Sequence, residues 1–186
     1  MTFEDYIGRI RSLYDGEGFV LALHPGAGAR MLAAVEGRIG CRLDQGLREA
    51  WAAADGGDDG LPVFCRPGYL TAYDFLSVDD ALSERDAMQR RSPRYSGYED
   101  PEPRDPRIRP GWFQDGWLPF AGFGGGTLLL IQDYSPSDAG RPGQVISFTH
   151  DPDRIEYVAP DFASFLSASL ASAIAETEDF FIGLEV

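Results

Sequence analysis

The chain has 186 residues, 44% of them apolar, and 30 acidic against 16 basic residues give it a net charge of −14. This length suits one domain with a buried core, and the apolar content excludes wholesale disorder. Every basic residue is Arg, so the basic face that nucleic acid or an anionic membrane surface would need is not expected. Opposite charge favours a basic protein partner, although acidity that merely keeps the chain in solution explains the same balance.

Phe3, Tyr6, Ile7, Ile10 and Tyr14 recur at helical spacing, which predicts an amphipathic helix over 3–14 that ends at Gly16 and Gly18. FVLAL, residues 19–23, reads as a short strand. After HPGAGA, Met31, Leu32, Val35 and Ile39 mark one face of a helix that Gly40 stops. Asp44 caps a further helix whose inward residues are Leu47, Ala50, Trp51 and Ala54, and residues 55–60 form a turn. PVFCR and YLTAY read as strands around Pro67-Gly68. Ser77 and Asp80 resemble a capping box at the head of a helix over 78–91. Residues 92–111 carry five prolines and no periodicity, which predicts a long loop.

Beyond that loop TLLLIQD, GQVISFTH and RIEYVA read as strands joined by hairpin-length turns. DFASFLSASLASAIAE closes the pattern as a helix capped by Asp161, with Phe162, Phe165, Leu166, Leu170 and Ile174 on one face. Helices first, strands in the middle and a helix last predict a single α+β domain with a mostly antiparallel sheet. No apolar run approaches the roughly 18 residues that span a bilayer. The acidic, amphipathic start lacks the pattern of a secretory signal, so a cytoplasmic location is expected.

The chemistry-bearing residues are sparse. Gly122, Gly124, Gly125 and Gly126 precede a β-like run and no Lys follows them, so they fit a tight turn with positive φ and not a phosphate loop. HPGAGARM is a better-placed phosphate candidate, but the third glycine of a dinucleotide fingerprint is replaced by Met31. Cys41 and Cys65 have no CxxC spacing, and with His24 and His150 they make no zinc set. No serine sits in GxSxG, so no catalytic residue, cofactor or metal is expected. Asp133 ends an apolar run before a turn, where it can cap backbone amides, meet a partner or act as a hydrolytic carboxylate. Trp117 and Phe120 suit a core. Trp112 and Phe113, half exposed, and Tyr95 and Tyr98, among Arg94, Glu99 and Asp100, suit either a contact surface or a solvated loop.

Residues 117–149 carry Trp117, Pro119, Phe120, the glycines through Gly126, Asp133, Pro136, Gly140, Gly143, Gln144 and Val145. This block resembles the signature of the SUKH superfamily, which includes yeast cell-wall-synthesis regulators of the Smi/Knr type and many bacterial immunity proteins. Glu36, Ile39-Gly40, Leu43 and Gly56-Gly57 resemble its helical half, and VAPDFASFL its closing helix. Asp44 stands where the family usually has Pro, and Thr127 where Asp or Asn often follows the glycines. The resemblance implies an α+β domain without catalysis that binds a protein, most commonly a toxin in bacteria and a signalling partner in yeast. The expected partner is a basic toxin such as a nuclease. A regulatory scaffold, and a small-ligand binder or hydrolase using Asp133, remain as alternatives.

Overall fold

A computed structural model describes residues 1–69, 71–98, 100 and 102–184, so the expected strand at YLTAY and the alternation through Glu99 fall partly outside the described residues. Helix α1 (Phe3–Gly16) is capped by the Thr2 side chain and buries its five predicted apolar residues. The stretch read as a strand at 19–23 is not one. Phe19 N–H bonds the Tyr14 carbonyl and its ring packs on Phe181, so this segment closes α1, and Val20 is 80% exposed. The strand starts later, as β1 (Leu23–Pro25), where it can pair with β2 (Ala54–Gly57). Residues 55–57 were expected to turn, and Ala54 to lie on the inward face of the preceding helix. A Cβ on Gly57 would lie 3.0 Å from the Ala22 carbonyl oxygen, and glycine permits that close pairing.

Helix α2 (Ala29–Ile39) ends on left-handed Gly40, and α3 (Gln45–Ala53) is capped by Asp44, which accepts from Gly46 and Leu47 N–H. Strands β3 (Pro62–Cys65) and β4 (Ala72–Phe75) lead to α4 (Val78–Arg91), capped by Ser77. Strands β5 (Trp117–Phe123), β6 (Leu128–Asp133), β7 (Gln144–Thr149) and β8 (Arg154–Ala159) follow, then α5 (Phe162–Ala175) and a short α6 (Thr177–Phe180). Strands β3 to β8 form one antiparallel sheet in sequence order. On α5 the buried stripe passes through Ser169 and Ala173, and Ile174, expected to face inward, is 47% exposed. Both 173 and 174 lie one turn beyond Leu170, and the small Ala173 fits the close approach of the helix to the sheet.

The sheet is covered on both faces, which accounts for the unbroken apolar run of β6. Leu128 and Leu130 join Phe64, Phe75, Phe120 and Phe165 in a core beneath α1, α3 and α5. Leu129 and Ile131 point the other way and join Trp117, Ile146, Phe148 and Ile155. Met88 of α4 and Ile108 and Trp112 of the proline-rich segment cover this second core. The segment read as a loop is therefore a strap. It begins with a 3-10 turn at Ser92–Tyr95, and Tyr95 stacks on Trp112 with centroids 4.3 Å apart. Arginines fasten it: Arg104 lies over Trp112, Arg107 over Tyr157 and Arg85 over Phe113, while Arg91 of α4 lies over Phe148 of the sheet. Planar guanidinium groups stack on rings in a way that an ammonium does not.

The β3 edge of the sheet is sealed by side chains. Tyr6 and Tyr14 donate to the Val63 and Pro62 carbonyls at 2.7 and 2.9 Å, and Cys65 N–H donates to Ser169 Oγ at 2.8 Å. Burial lifts the Cys65 thiol to about 11. Arg66, just beyond β3, reaches Thr149 and Glu156 and so ties the first strand of the sheet to the last. Ser169→Ala strips the partner from a buried N–H and is expected to cost about 1–3 kcal/mol in urea unfolding. Ser167→Ala, on the exposed side of the same helix, should leave the midpoint unchanged.

Candidate functional site

The glycine cluster resolves into two roles. Gly122 sits inside β5, while Gly124, Gly125 and Gly126 have φ of +63°, +63° and +80° and turn the chain into β6. Thr127 closes this turn with its hydroxyl on the Gly124 carbonyl at 2.6 Å. Gly126 brings the backbone against Glu84 of α4: a Cβ there would lie 2.4 Å from the Glu84 carboxylate. The residues lining the resulting cleft of about 240 Å³ include the carboxylates of Asp59, Asp74, Asp80 and Glu84 and no basic side chain. Burial raises the Asp74 carboxyl, and the nearby Asp59 charge raises it further, while Gly60 N–H opposes both. Phe123 stands at the rim, 50% exposed.

The family-motif residues form a different unit. Trp117, Asp133 and Gln144 lie side by side in register on β5, β6 and β7. Asp133 is fully buried; it accepts from Ser135 N–H at 2.8 Å and from the Gln144 amide at 3.0 Å. Burial raises its carboxyl above the ordinary range, and those two donors offset part of the rise. The Trp117 indole N–H faces this carboxylate favourably without closing a hydrogen bond of normal geometry. Gln144 also donates to the Arg107 carbonyl at 3.0 Å and accepts from Arg141 N–H, so its amide fastens the strap to the sheet. Gly140 permits this approach, because a Cβ there would lie 2.4 Å from the Arg107 carbonyl oxygen. Gly143 takes φ +90° and donates its N–H to the Asp133 carbonyl. Pro119 sits in the middle of the sheet beside a bulge, where a missing N–H is tolerated. Phe120 and Val145 are buried in the first core.

The four loop aromatics divide. Trp112, expected to be half exposed, is only 8% exposed because Tyr95, Arg104 and Phe148 enclose it. Phe113 and Tyr95 are half-buried, and Tyr98 is 41% exposed. HPGAGA packs closely: a Cβ on Gly26 would lie 1.9 Å from the Ala52 carbonyl oxygen, so that glycine seats the turn on α3. His24 pairs with Asp58 and His150 with Asp153, both exposed, and neither imidazole bonds a serine or cysteine. Among the described residues no group of three or more His, Cys, Asp or Glu side chains is arranged to hold a metal. Sequence reading missed the acidic cleft, because folding brings Asp59 and Asp74 to the Asp80 and Glu84 pair of α4 with no motif joining the three segments. It also missed Tyr134, whose hydroxyl links Gln132 to Asp44 N–H.

Asp133→Ala leaves the Ser135 N–H and the Gln144 amide without their acceptor and is expected to cost about 3 kcal/mol. Asp133→Asn keeps one acceptor oxygen and should cost about 1 kcal/mol at pH 4. The native carboxyl has its value raised by folding, so its favourable contribution is present below the unfolded value and is lost as pH rises through the folded one. Urea unfolding of wild type and Asp133→Asn should therefore show the gap narrowing between pH 4 and pH 7.

The SMI1 / KNR4 family (SUKH-1) matches the chain over residues 26–168, from the turn before α2 into α5. A search of the curated proteins finds no match. The matched region holds the strap, the Asp133–Gln144 pair and all six strands of the large sheet, and the chain belongs to the SMI1 / KNR4 (SUKH-1) family.

Proposed function

We propose that this chain is a non-catalytic, cytoplasmic protein-binding domain that acts as an immunity protein and neutralises a basic toxin, such as a nuclease. Domains of its family are generally non-catalytic and bind protein partners, toxins among them. The acidic cleft beside the glycine turn carries the reading. Four carboxylates, Asp59, Asp74 and the α4 pair Asp80 and Glu84, line it with no basic side chain among its lining residues, and a half-exposed phenylalanine stands at its rim. Negative potential steers a cationic partner into encounter, and a rim aromatic supplies the kind of anchor that dominates binding energy. Of the four strap aromatics, Tyr98 is the most exposed and is a second contact. Asp133 supports the same reading, since a fully buried carboxylate held by two donors is out of reach of a substrate.

The experiment is co-expression with the products of adjacent reading frames, followed by affinity capture and titration of the captured partner. A secreted-toxin-like neighbour should bind and lose its toxicity. Asp59→Lys with Glu84→Lys should weaken binding about tenfold or more without moving the unfolding midpoint, and added salt should weaken the wild-type complex. Binding of a signalling or cell-wall protein in place of a toxin contradicts the immunity role. A toxin complex that ignores the two reversals contradicts the placement of the contact.

A further inference from the structure

The two edges of the large sheet are treated differently. The β3 edge has its backbone groups occupied by Tyr6, Tyr14 and Ser169. The β8 edge has no such cover: among the described residues no strand lies beyond β8, and no backbone hydrogen bond outside the sheet ladder involves Arg154–Ala159. Exposed edges are usually blunted by proline, charged side chains or shortness. β8 has six residues, as many as β6 and β7, and contains no proline; its charged residues are Arg154 and Glu156.

A groove of about 280 Å³ runs beside it. Arg154, Ile155, Glu156 and Tyr157 all line this groove. Successive residues of a strand point to opposite faces, so a groove touching four in a row lies along the edge and not over a face. Its other wall is the strap, from Asp100 and Glu102 to Asp105. The space is bounded on one side by free backbone and on the other by a fixed loop, which suits one extended chain.

We propose that a protein partner adds a strand to β8 in this groove, and that the strand carries Arg or Lys at alternate positions. This rests on the reading of the chain as a protein-binding domain. The charge of the groove selects the occupant. Its lining carries the four carboxylates of Asp100, Glu102, Asp105 and Glu156 against the two guanidiniums of Arg104 and Arg154. Glu102 is the most open of them at 71% exposed, while Glu156, 42% exposed, is already bonded to Arg66. The Arg104 guanidinium is buried against Asp100 and Trp112, and Arg154 already faces Glu102. A second copy of the chain would bring another −14 charge to the same edge, so a cationic strand fits better. Main-chain hydrogen bonds would supply affinity, and the carboxylates would supply selection.

The probe is a blocked peptide, acetyl-Thr-Arg-Val-Arg-Val-Arg-Val-Thr-amide, titrated into the full chain and followed by backbone amide shifts and hydrogen exchange. Shifts confined to Arg154–Ala159 and the facing strap, with exchange of alternate β8 amides slowed about tenfold or more at saturation, are expected. The peptide with Glu for Arg, and a peptide N-methylated on the pairing edge, should not bind. Glu102→Arg, at a side chain 71% exposed whose ion pair is with Arg154, should weaken binding about tenfold while leaving the unfolding midpoint in place. Absence of β8 shifts at millimolar peptide, shifts centred on Gly124–Gly126, or concentration-dependent protection of β8 without peptide would each overturn the proposal. Failure of the peptide alongside capture of a toxin overturns only the edge assignment. Peptide binding at β8 without any captured toxin removes only the immunity role.

Discussion

The buried contact between Asp133 and Gln144 is the constraint on which the second face of the sheet depends. A carboxylate without solvent must be given donors, and here the turn amide of Ser135 and the side chain of Gln144 supply them. The other proton of the same Gln144 amide reaches the Arg107 carbonyl and so holds the strap. Satisfying one buried acid thereby fixes where Arg107, 37 residues before Gln144, must lie. Gly140 and Gly143 belong to this same unit, one for close approach and one for its positive φ.

The strap in turn decides what the surface offers. The arginines that hold it spend their charge over aromatic rings or against nearby acids: Arg104 on Trp112 and Asp100, Arg107 on Tyr157 and Asp105. Arg66 and Arg85 are buried outright. Much of the positive charge is therefore turned inward or paired, while the Asp59 carboxylate is exposed and that of Glu102, though it meets Arg154 at 3.5 Å, remains 71% exposed. A chain with lysines in these places would stack less well and would scatter exposed cations over the acidic surface. The absence of lysine, a detail of composition, becomes a statement about which charges a partner meets.

Local signals made part of this legible in the sequence. The five-residue apolar stripe of α1, the capping residues Asp44, Ser77 and Asp161, and Gly40 as a helix stop are all short-range, and the elements stand where those signals put them. An aspartate at a strand end before a turn reads as an acceptor for turn amides, and Ser135 is its donor. What could not be read depends on distant partners. The position of β1 was set by Gly57, more than thirty residues on. Trp112 is buried because Tyr95 and Phe148 close around it. Ser169 carries no local signal, yet it serves Tyr6 and Cys65. The acidic cleft and the open β8 edge are products of topology alone.

Amide hydrogen exchange on a Gln144→Met variant tests the central claim most directly, since it removes the amide that joins Asp133 to the strap while keeping side-chain bulk. The account predicts faster exchange over residues 105–113 with β5, β6 and β7 still protected. Equal loss of protection in the strap and the sheet, or an unchanged strap, would contradict it.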